Sequence, residues 1–246
     1  MVSSRPSGSG SGYPRGGLHG QIVHAIGRQI LTGKIRPGDL LPAQPGLPAS
    51  RTVLREAIKV LAAKGLVESR QKTGTRVRPR HAWHLLDPDV MAWQQDGPLR
   101  VQFLQKLTEV RLIVEPAAAE RAAQRATAAD LQTIDEAYRD MEHALGGDAF
   151  DYEAFDRADM RFHQAIVRAC GNDLLERMSH VVVSALLVSF RATSRLPGRA
   201  KASLPQHRAI LEAIRDRHAR RAGQGMRRLV RSTAREIDKL ARRPRR

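Results

Sequence analysis

A single cysteine, Cys170, stands in a chain of 246 residues. One thiol excludes an intramolecular disulfide framework and any CxxC-type zinc site. Aromatic residues are scarce, at 4%, while alanine and leucine abound, a balance that favours helical packing over a sheet-rich fold. No apolar run approaches about 18 residues, so no segment reads as a membrane-spanning helix. The amino-terminal residues carry no apolar signal core, and a cytoplasmic protein is expected. Acidic residues are also few, 25 against 42 Lys and Arg, for a formal net charge of +17. Hydrophobic content of 41% is nevertheless enough for real cores, in one large or two ordinary domains.

The charge is unevenly spread. Residues 1–80 hold 14 Lys and Arg against 3 Asp and Glu, a net of +11; residues 81–198 hold 12 against 18, a net of −6; residues 199–246 hold 16 against 4, a net of +12. A basic end joined to an acidic middle suggests one part that faces phosphate and another with different work.

Residues 1–16 are rich in Ser, Gly and Pro and are expected to be a disordered tail. Leu18, Ile22, Ile26 and Ile30 then repeat every four residues, predicting a helix over 18–32 that Gly33 stops. "KIRPGDLLP" follows as an extended or turn segment, with Pro37-Gly38 as the turn. A second helix runs from Ser50, a good N-cap, to Ala63, with Leu54, Ala57, Ile58 and Leu61 on its apolar face and Arg51, Thr52, Arg55 and Lys59 on the other side. "LVESRQKTGTRVRP" reads as two short strands around a tight turn at Lys72-Thr73-Gly74. Together these elements spell a winged helix-turn-helix.

The expected fold class is therefore mainly α: an N-terminal winged helix-turn-helix over 17–80 and a C-terminal all-α antiparallel helical bundle over 99–240. Between them, 81–98 is expected to be a linker with a short helix, holding both tryptophans and packing the two domains together. Helices are expected over roughly 99–125, 128–144, 150–170, 172–193 and 204–240, the last broken near Gly223–Gly225. Residues 241–246 form a basic tail.

A recognition helix needs short polar and basic side chains near its N-terminus, where they reach base edges in the major groove while neighbours hold phosphates. Ser50, Arg51, Thr52 and Arg55 meet that need. Lys72, Thr73, Gly74 and Thr75 of the wing suit a minor-groove or phosphate contact, and Arg76, Arg78 and Arg80 add backbone charge. The expected partner is a double-stranded DNA operator.

The segments "I.TGKIRPGDLLP", "SRTVLREAIKVLAAKGLVE" and "KTGTRV" resemble the GntR family of bacterial transcription regulators. The helical remainder resembles the ligand-binding domain, of the FCD type, of that family's FadR subgroup, through "EVRLIVEPAAAERAA", "DMRFHQAIVRACGN" and "HRAILEAIRDRHARRA". "WHLLDPDVMAW" looks like the branch of these repressors that responds to sugar acids of the galactonate type. The resemblance covers about residues 18–240. It implies a homodimeric regulator, with repression relieved by a small carboxylate effector.

Polar residues interrupt the apolar faces of the second domain. Asp159 and His163 lie at i and i+4 beside Phe155, Phe162 and Ile166. His207 shares a face with Ile210, Leu211 and Ile214, and Arg111 is in register with Leu104, Leu107, Val114 and Ala118. A buried carboxylate demands a partner. Three readings are open: a metal site with positions left for a carboxylate ligand; a metal-free pocket in which Arg111 and the histidines, with Asp159, bind an anionic effector directly; or an internal polar network. The resemblance implies a divalent metal of the zinc or nickel type, held by one Asp and three His. Asp159, His163 and His207 match three of these, and Leu229 stands where the fourth is expected.

An Asp/His/His cluster could also activate water in a metal-dependent hydrolase. The chain lacks a glycine-rich phosphate loop and a nucleophile elbow, and the attached winged helix points away from an enzyme. One departure bears on DNA binding. The family pattern places a polar helix of about two turns before the recognition helix, but here Pro42, Pro45 and Pro48 fall within seven positions, and proline breaks a helix interior. A variant impaired in operator binding is one expectation; a compact turn carrying Leu47 against Leu54 is the other. A metal-responsive regulator is a further alternative.

Overall fold

The computed structural model describes residues 13–14, 16–41, 50–70, 73–94, 100–146, 150–177 and 198–242. Two compact units divide the chain, Met1–Pro98 and Leu99–Arg246.

The first unit opens with α1 (Gly17–Leu31), whose Ile22, Val23, Ile26, Ile30 and Leu31 are buried. Thr32 closes it, its Oγ1 donating to the Arg28 carbonyl at 2.7 Å, and Gly33 turns the chain at φ 78°. The segment after the turn lies along the wing: Leu40 bridges Arg76, and the Leu41 amide donates to the Thr75 carbonyl at 2.8 Å. Residues 42–49, where the proline-rich stretch falls, are outside the described residues. α2 (Arg51–Ala63) begins at Ser50, whose Oγ accepts from the Val53 amide at 3.3 Å. Ala57 and Leu61 are its buried residues, and Val53, Leu54 and Ile58 pack from the rim of the core. β1 (Val67–Arg70) and β2 (Gly74–Val77) pair antiparallel, from Val67 opposite Val77 to Arg70 opposite Gly74.

A 3-10 turn (Arg80–Ala82) leads into the segment 81–98, expected to be a linker with a short helix, and that helix is α3 (Pro88–Gln94). Trp83, Val90 and Trp93 join the same core as Ile22, Ile26 and Leu61. Gly27 makes room for this: a Cβ there would lie 2.5 Å from the Trp93 ring. Trp93 Nε1 donates to His24 Nδ1 at 2.9 Å, so His24 Nε2 carries the proton and donates to the Tyr13 carbonyl at 3.0 Å. Asp89 accepts from the Tyr13 amide at 3.0 Å and pairs with Lys64 at 2.7 Å. Tyr13, expected within a disordered tail, is thus tied to α1 and α3 by buried polar groups that would otherwise be unsatisfied.

The second unit is a helical bundle: α4 (Arg100–Arg125), α5 (Ala128–Leu145), α6 (Tyr152–Ala169), α7 (Arg199–Arg215) and α8 (Ala219–Arg242). Residues 173–177 are helical, and the rest of the helix expected over 172–193 is outside the described residues. α4 packs on α6 and α8, α5 on α6 and α7, and α7 on α8. Thr127 and Asp130 form a reciprocal capping box on α5.

The break in the last helical region differs from expectation. It falls at Asp216–His218, where Arg217 adopts φ 60° and its guanidinium donates to the carbonyls of Ala126 (2.7 Å) and Ala123 (3.4 Å) at the end of α4. A cation on those orphan carbonyls is favourable both as hydrogen bond and as charge. Gly223 and Gly225 instead lie inside α8, where a Cβ would meet Glu120 Oε1 at 2.3 Å and Ile210 Cγ1 at 3.0 Å. These glycines serve close helix approach, which a sequence pattern does not distinguish from a break.

Candidate functional site

In the first unit, Ser50, Arg51, Thr52 and Arg55 stand exposed at the N-terminal end of α2. Ser50 is also the N-cap. Lys59 is engaged with Glu56 at 2.8 Å, leaving Arg51 and Arg55 as the cations at this end. In the wing, Gly74 takes φ 84°, a left-handed conformation that disfavours a side chain, and Thr75 Oγ1 lies 2.9 Å from Ser69 Oγ across the strands. Thr73 and Gly74 are exposed and Thr75 half-buried; Lys72 is outside the described residues. Two of the arginines at the wing have structural partners: Arg76 donates to the Gly38 carbonyl, and Arg80 lies over the Trp83 ring at 5.7 Å.

In the second unit, Arg111 from α4, Asp159 and His163 from α6 and His207 from α7 meet in one small pocket, as their apolar registers predicted. All four are buried. Asp159 Oδ1 lies 2.9 Å from His207 Nε2 and 3.3 Å from His163 Nε2. Behind the rings, His207 Nδ1 lies 2.9 Å from the Ser203 carbonyl oxygen, and His163 Nδ1 lies 2.9 Å from Glu115 Oε2. Glu115 is in turn gripped by Arg111, Nε to Oε1 at 2.7 Å. Phe155, Arg199, Ala200, Leu229 and Thr233 complete the lining.

The sequence pattern missed Glu115, Ser203, Arg199 and Thr233. Glu115 lies one helical turn after Arg111, the spacing of an i, i+4 ion pair, and that signal was available. Arg199 and Thr233, joined by an Arg199 Nη2 to Thr233 Oγ1 bond at 3.1 Å, come from segments whose pairing no local pattern encodes.

Electrostatics follow from the enclosure. Burial alone would raise the Glu115 carboxyl, but Arg111 and His163 outweigh it and bring it down to about 2. Burial likewise opposes ionisation of Asp159, and the two histidines hold it well below the usual carboxylate range. Burial would depress His163; the charge of Glu115 and the contact with Asp159 push it up to about 9. Burial lowers Arg199.

A neutral imidazole carries one N–H. Here each ring presents both nitrogens to acceptors: a carbonyl or carboxylate behind, and Asp159 Oδ1 in front. Where the Nδ1 proton faces the rear acceptor, each Nε2 directs a lone pair at the same carboxylate oxygen unless a second proton or a cation stands there. The three donor atoms lie within 4.8 Å of one another, a separation that a single divalent ion with imidazole and carboxylate ligands satisfies. Rear hydrogen-bond acceptors that fix the ring tautomer are what metal-binding histidines require. The residues present therefore fit a divalent cation, with three protein ligands; Leu229, buried in the wall, contributes none.

A winged helix followed by a helical bundle with a buried polar pocket is the architecture of a transcription regulator. Residues 18–77 match the model of the bacterial regulatory proteins of the gntR family, and residues 106–232 match the FCD domain; the chain belongs to the GntR family, in the branch that carries an FCD domain. It is 33% identical over 229 residues to the galactonate operon transcriptional repressor of Escherichia coli K12, covering 89% of this chain and 96% of that protein. It is 33% identical over 171 residues to the transcriptional regulator LutR of Bacillus subtilis, covering 68% and 74%. Among solved structures, Lar, which controls the agr system of Listeria monocytogenes, shares the fold with a TM-score of 0.61 at 19% identity, over 91% of this chain and 98% of that one. These relatives are transcription regulators, not enzymes. Among the described residues no helix is long and apolar enough to cross a membrane.

Proposed function

We propose that this protein is an operator-binding repressor, released from DNA by a small carboxylate of the sugar-acid class that enters the Asp159–His163–His207 pocket, and that it works as a homodimer. The observation that carries the pocket reading is the convergence of two imidazole Nε2 atoms on one carboxylate oxygen, with an acceptor oxygen 2.9 Å from each Nδ1. Asp159, His163 and His207 would hold a divalent cation. Bound there, the cation supplies open coordination positions for a carboxylate. Arg111 and Glu115 fix the His163 ring, the Ser203 carbonyl fixes the His207 ring, and Arg199 presents a second positive group to an anion entering the same space.

The sugar-acid class is supported by the likeness to the galactonate operon repressor; polar hydrogen-bonding groups on the lining, Thr233 and the histidines, suit a hydroxylated acid. Effector binding relieves repression if the effector favours the state that binds DNA less well, since a ligand shifts an equilibrium only by its differential affinity. Ser50, Arg51, Thr52, Arg55 and the wing residues Lys72, Thr73, Gly74 and Thr75 contact the operator in this reading, one half-site per protomer.

Calorimetry with zinc or nickel, followed by a thermal-shift series of sugar acids and short-chain carboxylates with and without metal, tests it. A saturating metal isotherm that Asp159→Ala abolishes is expected, with sugar acids raising the melting temperature only when metal is present. A flat metal trace combined with sugar-acid stabilisation would establish the metal-free pocket instead, the reading that Arg111 and Arg199 in the lining favour. No stabilisation by any acid under either condition would overturn the effector assignment.

A further inference from the structure

The outer face of α8 carries a run of exposed arginines. Arg220, Arg221, Arg227, Arg228, Arg231 and Arg235 are all exposed and recur at helical spacing along one side, over a rise of about 22 Å. Among the described residues none of the six has a carboxylate within ion-pair distance. Several exposed arginines elsewhere in the unit are matched: Arg139 with Asp135 at 2.7 Å, Arg161 with Asp140 at 2.6 Å, Arg208 with Glu212 at 3.0 Å and Arg215 with Asp135 at 2.8 Å; Arg121, exposed on α4 without such a partner, stands singly. The two acids that α8 does carry are occupied, Glu236 with Lys239 and Asp238 with Gln105. A solvated face normally interleaves signs, because unpaired like charges one helical turn apart repel.

We infer that this arginine ridge is a second nucleic-acid contact surface, one that binds the phosphate backbone of duplex DNA without reading sequence, independently of both the recognition helix and the effector pocket. Guanidinium groups pair with phosphate oxygens through two parallel N–H donors, and a row of them along a helix follows a line of closely spaced phosphates. A membrane surface is the poorer match. Of the apolar residues of α8, Ala222, Met226, Leu229, Val230 and Ile237 are buried and Ala219, Ala234 and Leu240 half-buried, so the described helix shows no exposed apolar face to enter a lipid interface. The ridge offers charge alone, which is what the DNA backbone accepts.

The test uses the full chain and an operator-free duplex, with binding followed by fluorescence anisotropy across a salt series. Arg227→Gln/Arg231→Gln/Arg235→Gln should weaken binding roughly tenfold or more near 0.1 M salt and flatten the slope of log K against log salt by about 2–3, close to one unit for each phosphate no longer neutralised. A control with the same change in net charge, Arg139→Gln/Arg157→Gln/Arg161→Gln, should leave the slope near that of the unaltered chain. Arg227→Lys/Arg231→Lys/Arg235→Lys should retain most of it. Repeating the glutamine triple in an Arg51→Ala/Arg55→Ala background separates the ridge from the recognition helix: the same flattening is expected there, whatever happens to operator specificity. Equal slopes for the ridge and control triples would overturn the inference. So would loss of binding to anionic phosphatidylserine vesicles with DNA binding unchanged, which would assign the ridge to a membrane. All substituted residues are exposed, and an unchanged melting temperature confirms that the variants fold.

Discussion

Asp159 and His207, 48 positions apart, meet with Oδ1 2.9 Å from Nε2, while the other nitrogen of that imidazole is 2.9 Å from the Ser203 carbonyl oxygen. A ring caught between two acceptors requires a second proton or a cation, and His163 repeats the arrangement against the same carboxylate oxygen. The pocket is in this sense a question about charge, and variants of its walls give separable answers.

Leu229 faces this pocket where the family pattern places a fourth histidine. Leu229→His is expected to tighten zinc binding by about tenfold or more, equivalent to about 1.4 kcal/mol, because a fourth ligand closes the coordination shell. The same change should reduce stabilisation by carboxylates, since one open position is lost. Competition calorimetry and thermal shift measure the two effects; equal zinc affinity in both proteins would show that Leu229 lies outside ligand reach.

Glu115 stands behind the site, holding His163 on one side and Arg111 on the other. Glu115→Gln keeps the shape but removes the charge that both cations face. Metal affinity should fall about 10–100-fold, the usual effect of removing a group that orients a ligand. Stability should fall by about 3 kcal/mol, because Arg111 is left buried beside an uncharged amide. Denaturant unfolding without metal isolates the second effect from the first.

Lys64, at the end of α2, holds Asp87 and Asp89 at 2.9 and 2.7 Å, and Asp89 in turn accepts from the Tyr13 amide. Lys64→Met should destabilise the first unit by about 3 kcal/mol, through the carboxylates left without their cation. Burial opposes the ammonium charge, but hydrogen bonds from the ammonium to the two aspartates outweigh it, and the Lys64 pKa is raised above 10.5. A raised basic group contributes stability that is fully present below its unfolded pKa and lost as pH climbs through the folded one. The deficit of the variant should therefore be constant through neutral pH and shrink only above about 10.5. A deficit that varied across pH 6–8, roughly the histidine range, would assign the effect to another group.

Gly27 meets the Trp93 ring at a distance no side chain tolerates. Gly27→Ala should cost about 1–3 kcal/mol by overpacking, despite the better helix propensity of alanine. Trp93 should move with it, so a shift in tryptophan emission is expected alongside the lower melting temperature. Unchanged emission with unchanged stability would mean that α1 and α3 are not packed this closely.

Arg51 and Arg55 stand exposed at the start of α2. Replacing either with alanine should cost roughly 1–3 kcal/mol of operator affinity, the scale of a bidentate base contact, with little effect on folding. Gel-shift titration against operator and unrelated duplex measures the specific component; unchanged operator affinity in both variants would remove α2 from the recognition role.

The sequence alone determined the elements and the inward set. Four-residue spacing of isoleucines defines α1, the Ser50 cap and apolar register define α2, and the glycine turn defines the wing, because these signals are local and repeat within one element. The same periodicity put Arg111, Asp159, His163 and His207 on buried faces. Tertiary structure decided what periodicity cannot encode. Asp159 Oδ1 is shared between histidines of two helices, Glu115 rather than open space faces Arg111, and Arg199 reaches the pocket through Thr233 of another helix. Tyr13 belongs to a core through a backbone bond to Asp89, and the glycines of α8 admit neighbouring side chains rather than a break. In each case a residue's role depends on which partner arrives from a distant segment, and only packing of the whole unit supplies that partner.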